Sequence, residues 1–181
     1  APIAILAIPV MSLSMSPTKA AGILLPILIL MDLLAMYIYW NKWDLKNIKI
    51  IIPTSIIGIF IGSLSFQFIS ENGIKIIVGV LAILFIFLSM VQKKSFLIKP
   101  TTYKGYFWST IAGYTSFLIH AGGPPINFFL LPQKLNKTTY VGTITLSFFI
   151  INTIKILPYY YLDLLAVTNL KVSLILSPLA P

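Results

Sequence analysis

Four polar side chains lie within long apolar stretches of the chain, where a charge or an amide needs a partner or a cavity. They are Asp32, His120, Asn152 and Lys155. An Asp or Lys at the centre of a membrane helix costs about 2.5–3.5 kcal/mol on insertion scales, so such residues normally face a cavity or a partner. Their positions therefore predict proton or ion chemistry at membrane depth.

Two interpretations are open for Asp32 and for His120, and one is favoured for Lys155 and for Asn152. Asp32, central in its apolar run, either takes up and releases a proton or is a structural charge paired with Lys155. Lys155 lies nearer one end of its run, and we expect it to extend its amino group toward the membrane surface. Asn152 is expected to form a hydrogen bond between helices. His120 is the single histidine and is one of the predicted substrate-binding residues. It either carries a proton, as histidine can at physiological pH, or caps a helix.

A helix-breaking sequence, Ala-Gly-Gly-Pro-Pro at 121–125, follows His120 directly. Glycine frees the backbone and proline removes N–H donors, so an α-helix does not continue through it. Backbone groups opened at membrane depth must be satisfied by protein, water or a ligand, which makes the break a candidate solute site. A surface loop between two shorter helices is the alternative. The predicted donors to an anion are the N–H groups of Gly122, Gly123, Ile126 and Asn127, at the positive end of a half-helix starting after Pro125.

The composition supports membrane helices as the elements that position these residues. The 181 residues are 58% hydrophobic and 9% charged, whereas soluble domains carry roughly a quarter charged residues. The fold class predicted is an all-α polytopic membrane protein. The absence of cysteine excludes disulfides, thiolate metal sites and cysteine nucleophiles, and no cofactor or metal is predicted. The net charge of +9 is typical of cytoplasmic loops rather than of nucleic-acid binding.

The apolar runs predict membrane segments at about 19–40, 50–69, 74–91, 104–119, 126–131 and 138–161, with another beginning near 169. Ser16 before Pro17 is a helix-start signature. Gly58 and Gly62 have the four-residue spacing that lets helices approach closely. Turns are predicted at 71–73 and 132–137, and basic loops at 41–49 and 92–104.

An internal duplication relates the two parts of the chain. Two proline pairs recur 123 residues apart, and three further pairs recur 120 apart: Pro2 and Pro125, Pro9 and Pro132, Thr18 and Thr138, Gly22 and Gly142, Asp32 and Asn152. We expect a first transmembrane repeat at 1–92, a cytoplasmic basic linker at 93–104 and a second repeat at 105–181. The first repeat's counterpart of the paired glycines would precede residue 1. The chain is therefore expected to be truncated at both ends.

Lysines indicate how the repeats are oriented. The basic segments 41–49, 92–104 and 132–137 are expected in the cytoplasm, and the neutral segment 163–171 outside. This arrangement requires 104–131 to enter the membrane, break at the glycines and return as a re-entrant hairpin. The repeats would then be inverted. Parallel repeats, with 104–131 crossing fully, are the alternative.

The residues quoted above resemble a known family. The stretch 121–125 and the stretch 9–22, which leads to Asp32, are similar to the duplicated motif of TauE/SafE-type permeases, the sulfite/sulfonate exporter family. The resemblance implies a multi-pass protein of the bacterial inner membrane with two homologous halves, associated with transport of sulfite, organosulfonates and related sulfur anions. The chain departs from the family pattern in lacking the first repeat's glycines and the last segments.

The function predicted is therefore a secondary transporter for a small anion, working by alternating access around paired hairpins. Its partners would be the lipid bilayer, a small sulfur anion and a coupling proton, with no nucleic acid. An anion channel with similar hairpins is one alternative. An intramembrane hydrolase is another, and His120 with Ser109, Ser116 or Thr115 is the one set that would serve it. No nucleophile-elbow signature accompanies that set, so an enzyme is not predicted.

Overall fold

The computed structural model describes residues 8, 10–12, 14–92 and 101–165, and this part of the chain contains no strand. The helices are α1 Pro17–Ile38, α2 Leu45–Phe66, α3 Glu71–Gln92, α4 Thr102–Ile119, α5 Gly123–Leu130 and α6 Lys137–Tyr161, with a 3₁₀ turn at Leu131–Gln133 between the last two. Three of them, α1, α2 and α6, are long and apolar enough to cross a membrane. The prediction of an all-helical membrane protein is confirmed at this level.

Side-chain caps determine where the long helices begin. Ser16 accepts a hydrogen bond from the N–H of Lys19 before α1, as its sequence signature predicted. Asn136 accepts from Thr139 before α6 at 2.8 Å. Asp44 caps α2 through two backbone N–H groups. These caps satisfy donors that the first turn of a helix leaves without partners.

The turn predicted at 71–73 is wrong, because these residues form the first turn of α3. The chain turns instead at 67–70. Ser70 accepts the N–H of Gly73 through its hydroxyl at 3.2 Å, and Glu71 lies where the helix dipole favours an acid. Similarly, α5 begins at Gly123 rather than after Pro125. Proline is tolerated in a first turn, since its missing N–H would have no partner there.

Helices α2 and α4 run parallel in close contact. The Ser55 hydroxyl donates to the carbonyl of Ser109 at 3.0 Å. A Cβ on Gly58 would overlap the carbonyl oxygen of Thr110, and one on Gly62 would lie 3.0 Å from the Phe117 ring. Contact positions advance together along both helices, which gives the parallel direction. The close approach predicted from the glycine spacing is confirmed.

Helix α5 folds back along α4. Near the break, a Cβ on Gly122 would lie 2.9 Å from the carbonyl oxygen of Ala112. Farther along, the Phe128 and Trp108 rings are 4.9 Å apart. Because residues later in α5 meet residues earlier in α4, the two helices form an antiparallel hairpin with the break at its tip.

Helices α1 and α6 also pack antiparallel. Gly142, near the start of α6, contacts the carbonyl of Lys42 in the loop after α1. At the other end, the imidazole of His120 contacts both Ala21, near the start of α1, and Lys155, in the second half of α6. The beginning of each helix therefore lies beside the end of the other.

Because of these helix directions, the segments that carry most of the lysines lie at one end of the helices. This lysine-rich end comprises the loop from α1 to α2, the start of α4 and the turn before α6. Its charged residues within the described part are Lys42, Asp44, Lys46, Lys49, Lys104, Lys134 and Lys137. At the opposite end, the described charges are Lys19, Glu71, Lys75 and Asp163.

Candidate functional site

His120 makes the helix break. Its backbone is left-handed, with φ 53° and ψ 24°, and its N–H donates to the carbonyl of Ser116 at 3.1 Å. The N–H of Ala121 then donates to the carbonyl of Thr115 at 3.3 Å. Gly122 has an ordinary φ of −73°. Gly122 therefore serves the close approach of α5 to α4, while the histidine supplies the backbone turn.

The His120 side chain joins three elements. Its Nε2 lies 2.9 Å from the carbonyl oxygen of Ala21, which accepts only, so Nε2 carries the proton. Its Nδ1 lies 2.7 Å from Lys155 Nζ and, in the neutral ring, accepts an N–H from that amine. The interpretation of His120 as a structural, capping residue therefore agrees with its contacts.

Lys155 is buried rather than extended to the surface, so the expectation that it reaches the membrane boundary is wrong. It is 0% exposed. Its Nζ donates to the carbonyl and approaches the hydroxyl of Ser116 at 2.9 and 3.0 Å. These contacts, with His120, satisfy the amine at depth and remove the need to reach water.

Asp32 is bound by Asn152. The amide Nδ2 of Asn152 donates to Asp32 Oδ2 at 2.6 Å. The predicted hydrogen bond between helices is confirmed, since it joins α1 to α6. Within the described residues, Asp32 forms no direct ion pair with Lys155, whose amine is engaged at the break. Asp32 and Lys155 interact electrostatically without direct contact, and the interpretation of Asp32 as a structural charge paired with Lys155 stays a prediction.

A cavity of about 190 Å³ lies between α1, α6 and the break. Its polar lining is Asp32, Ser116, His120, Gly123, Thr145 and Asn152, and its apolar lining is Leu28, Met31, Ala35, Ile144 and Phe148. This size suits a small solute. The cavity combines a carboxylate with hydroxyl, amide and backbone donors.

The structure places some of the predicted anion donors in the cavity and others outside it. Gly123 lines the cavity, whereas Ile126 and Asn127 do not. The N–H of Ile126 donates to the carbonyl of Gly122 at 3.3 Å, and Asn127 Oδ1 accepts from the Tyr140 hydroxyl at 2.7 Å. The roles of all these residues in binding stay predictions.

Thr145 is the cavity residue that sequence reasoning missed. A threonine inside a helix usually bonds the carbonyl four residues earlier, as Thr143 and Thr153 do here at 2.7 Å. Nothing in the local sequence distinguishes Thr145 from these two. Among the residues described, no group of three or more His, Asp or Glu side chains is arranged to hold a metal ion.

Comparison with known families gives one match. Residues 3–181 match the model of the sulfite exporter TauE/SafE family. The chain belongs to the TauE/SafE family. No curated protein and no solved structure matches it. TauE/SafE membership identifies the chain as a member of a membrane transporter family.

Proposed function

We propose that this protein is a multi-pass secondary transporter of the bacterial inner membrane that carries sulfite, an organosulfonate or a related small anion. The observation that carries the proposal is the cavity at the helix break. Gly123, the first residue of α5, lines this cavity at the positive end of the helix, where an anion is favoured. Within the described residues, no acceptor bonds this N–H. Ser116 and His120 line the cavity on the side of α4.

The hairpin supports a re-entrant path through the membrane. Gln133, just after α5, exchanges two side-chain hydrogen bonds of 2.9 Å with Asn47, near the start of α2. Helix α4 starts at the same end as α2, because the two run parallel. The chain thus leaves that end in α4 and returns to it in α5.

An inverted pair of repeats is supported by three correspondences. The cap residues Ser16 and Asn136 are 120 positions apart, the offset of the proposed duplication. The helices that follow them pack antiparallel. Asp32 and Asn152, equivalent positions at the same offset, are hydrogen-bonded to each other. Such contacts arise beside a pseudo-two-fold axis in the membrane plane. The hairpin expected in the first repeat, around Pro2 and Pro9, and the final segment near 169 lie outside the described residues.

The contacts favour a carrier over the hydrolase alternative. Both ring nitrogens of His120 are engaged, by Ala21 and Lys155, so the ring is not placed to activate a hydroxyl. The Thr115 hydroxyl donates to backbone carbonyls. A channel remains the second candidate, since a cavity at a hairpin tip also suits a conducting pore.

Counterflow in proteoliposomes tests the proposal. Sulfite preloaded inside the vesicles should accelerate the uptake of labelled sulfite, and uptake should saturate. Gly123→Leu should abolish this flux by filling the cavity. Gly79→Leu is the matched control, because a Cβ at Gly79 meets nothing within 4 Å. Flux without saturation or acceleration would favour the channel, and full flux in Gly123→Leu would contradict the proposed site.

A further inference from the structure

The cavity holds an acid and anion donors in the same small space. Asp32, Gly123 and Thr145 all line the same volume of about 190 Å³. Two negative charges this close repel strongly in a medium of low dielectric constant. An anion bound at the donors therefore needs a positive charge or a proton beside Asp32.

Thr145 brings a hydroxyl group to the lining of the cavity. It is only 7% exposed, and its hydroxyl has no hydrogen-bond partner among the described residues. Thr143 and Ser147, on the same helix, both satisfy their hydroxyls with backbone carbonyls at 2.7 Å. A hydroxyl in a cavity lining that bonds no protein group is completed by water or a ligand. Thr145 therefore supplies a donor to whatever fills the cavity.

Asp32 has an open oxygen. Oδ2 accepts the Asn152 amide, and within the described residues Oδ1 has no partner. The other titratable group in the lining is His120, whose two nitrogens are engaged. On α6, Lys155 is hydrogen-bonded to Ser116 and His120 and interacts electrostatically with Asp32 without contacting it. The Tyr159 hydroxyl donates to the carbonyl of Phe117. The charges at the first turns of α1 and α3 are those of Lys19, Glu71 and Lys75, and none of them lines the cavity.

We propose that the anion occupies this cavity together with one proton shared with Asp32, and that Thr145 and the Gly123 N–H bind its oxygens. This inference rests on the proposed function and adds proton–anion cotransport to it. The proton enters from water with the anion, neutralises Asp32 while the anion is bound, and returns to water on the other side. Asn152 holds the carboxyl in place throughout. One proton therefore moves with each anion.

The test measures proton uptake on binding. Calorimetry of the purified protein in nanodiscs, repeated in buffers of different ionisation enthalpy, counts the protons taken up per ligand. Methanesulfonate is the main ligand because it remains ionised and cannot bring its own proton. Above the titration range of Asp32, we expect about one proton per anion and an affinity that falls about tenfold per pH unit. Asp32→Asn should bind without proton uptake and with an affinity independent of pH. Asp32→Glu should retain uptake, and Glu71→Gln is the control for an exposed acid.

The outcomes separate this inference from the proposed function. Methanesulfonate binding without proton uptake by the wild type would overturn the shared proton and leave an anion transporter. Binding of sulfite alone would place the proton on the ligand and overturn the role of Asp32. If neither anion binds, both the inference and the proposed function fail.

A second pair of variants tests Thr145. Thr145→Val keeps the shape of the side chain and removes the donor, so we expect about tenfold weaker methanesulfonate binding with proton uptake unchanged. Thr145→Ser should restore binding. Thr153→Val is the matched control, since Thr153 is exposed on the same helix. Equal affinity in Thr145→Val and the wild type would remove Thr145 from the site.

Discussion

At the residue scale, the distinctive feature is a buried lysine that has no carboxylate in direct contact among the described residues. Lys155 is satisfied instead by Ser116 and by the neutral ring of His120. The His120 ring in turn reaches α1 through Ala21. One histidine thus connects the break to both helices that enclose the cavity, and its left-handed backbone starts the hairpin turn.

Lys155→Met should destabilise the protein. The change leaves His120 Nδ1 as a buried acceptor without a donor, which costs about 1–3 kcal/mol. Equilibrium unfolding in detergent should show this loss. Lys75→Met, at an exposed position on α3, should show none. Equal stability of the two variants would contradict the assigned role of Lys155.

At the element scale, small residues hold the helices together. Gly58 and Gly113 face the opposite backbone directly, since a Cβ on Gly58 would overlap the carbonyl of Thr110 and one on Gly113 that of Ser55. Without a hydrophobic driving force between helices in lipid, this close packing is a main source of association. The close packing of α2 against α4 thereby fixes the position of α4 and of the helix break that follows it.

Gly113→Ala should therefore separate α2 from α4 and lower stability by about 1–3 kcal/mol, the usual cost of overpacking. Gly79→Ala provides the comparison, because its Cβ would meet nothing within 4 Å and alanine is the better helix former. Thermal unfolding of both variants in the same detergent measures the difference. A Gly113→Ala protein as stable as Gly79→Ala would show that the contact tolerates a methyl group.

At the scale of the whole molecule, the directions of the helices bring most of the described lysines to one end of the structure. The lysine-rich end combines segments that lie far apart in sequence, and the positive-inside rule places such an end in the cytoplasm. The hairpin of α4 and α5 returns to this end. In the proposed re-entrant path, the tip of the hairpin would lie within the membrane rather than at either surface.

Single cysteines can test this topology, since the chain has none of its own. Lys42→Cys and Lys137→Cys should both react with an impermeant thiol reagent from the cytoplasmic side. Asn72→Cys should react from the opposite side. All three positions are exposed. Labelling of the Lys42→Cys and Lys137→Cys variants from different sides would mean that 104–131 crosses the membrane completely.

The sequence by itself determined the features that depend on composition and local chemistry. Apolar runs predicted membrane helices, and three described helices meet the requirements for crossing. Gly58 and Gly62 predicted a close helix contact because small residues four positions apart let two helices approach closely. The break was predictable because prolines cannot donate to a helix. The predicted start of α5, after Pro125, was a few residues too late, since proline is tolerated in the first turn of a helix.

Only the tertiary structure decided which polar groups meet. His120 and Ala21 are 99 residues apart, and Asn152 and Asp32 are 120 apart. In a helix that is apolar on every side, the pattern does not indicate which face is buried against protein. The burial of Lys155, the engagement of Asn127 by Tyr140 and the open hydroxyl of Thr145 depend on that choice of face. These contacts exist only once α1, α6 and the hairpin have packed together.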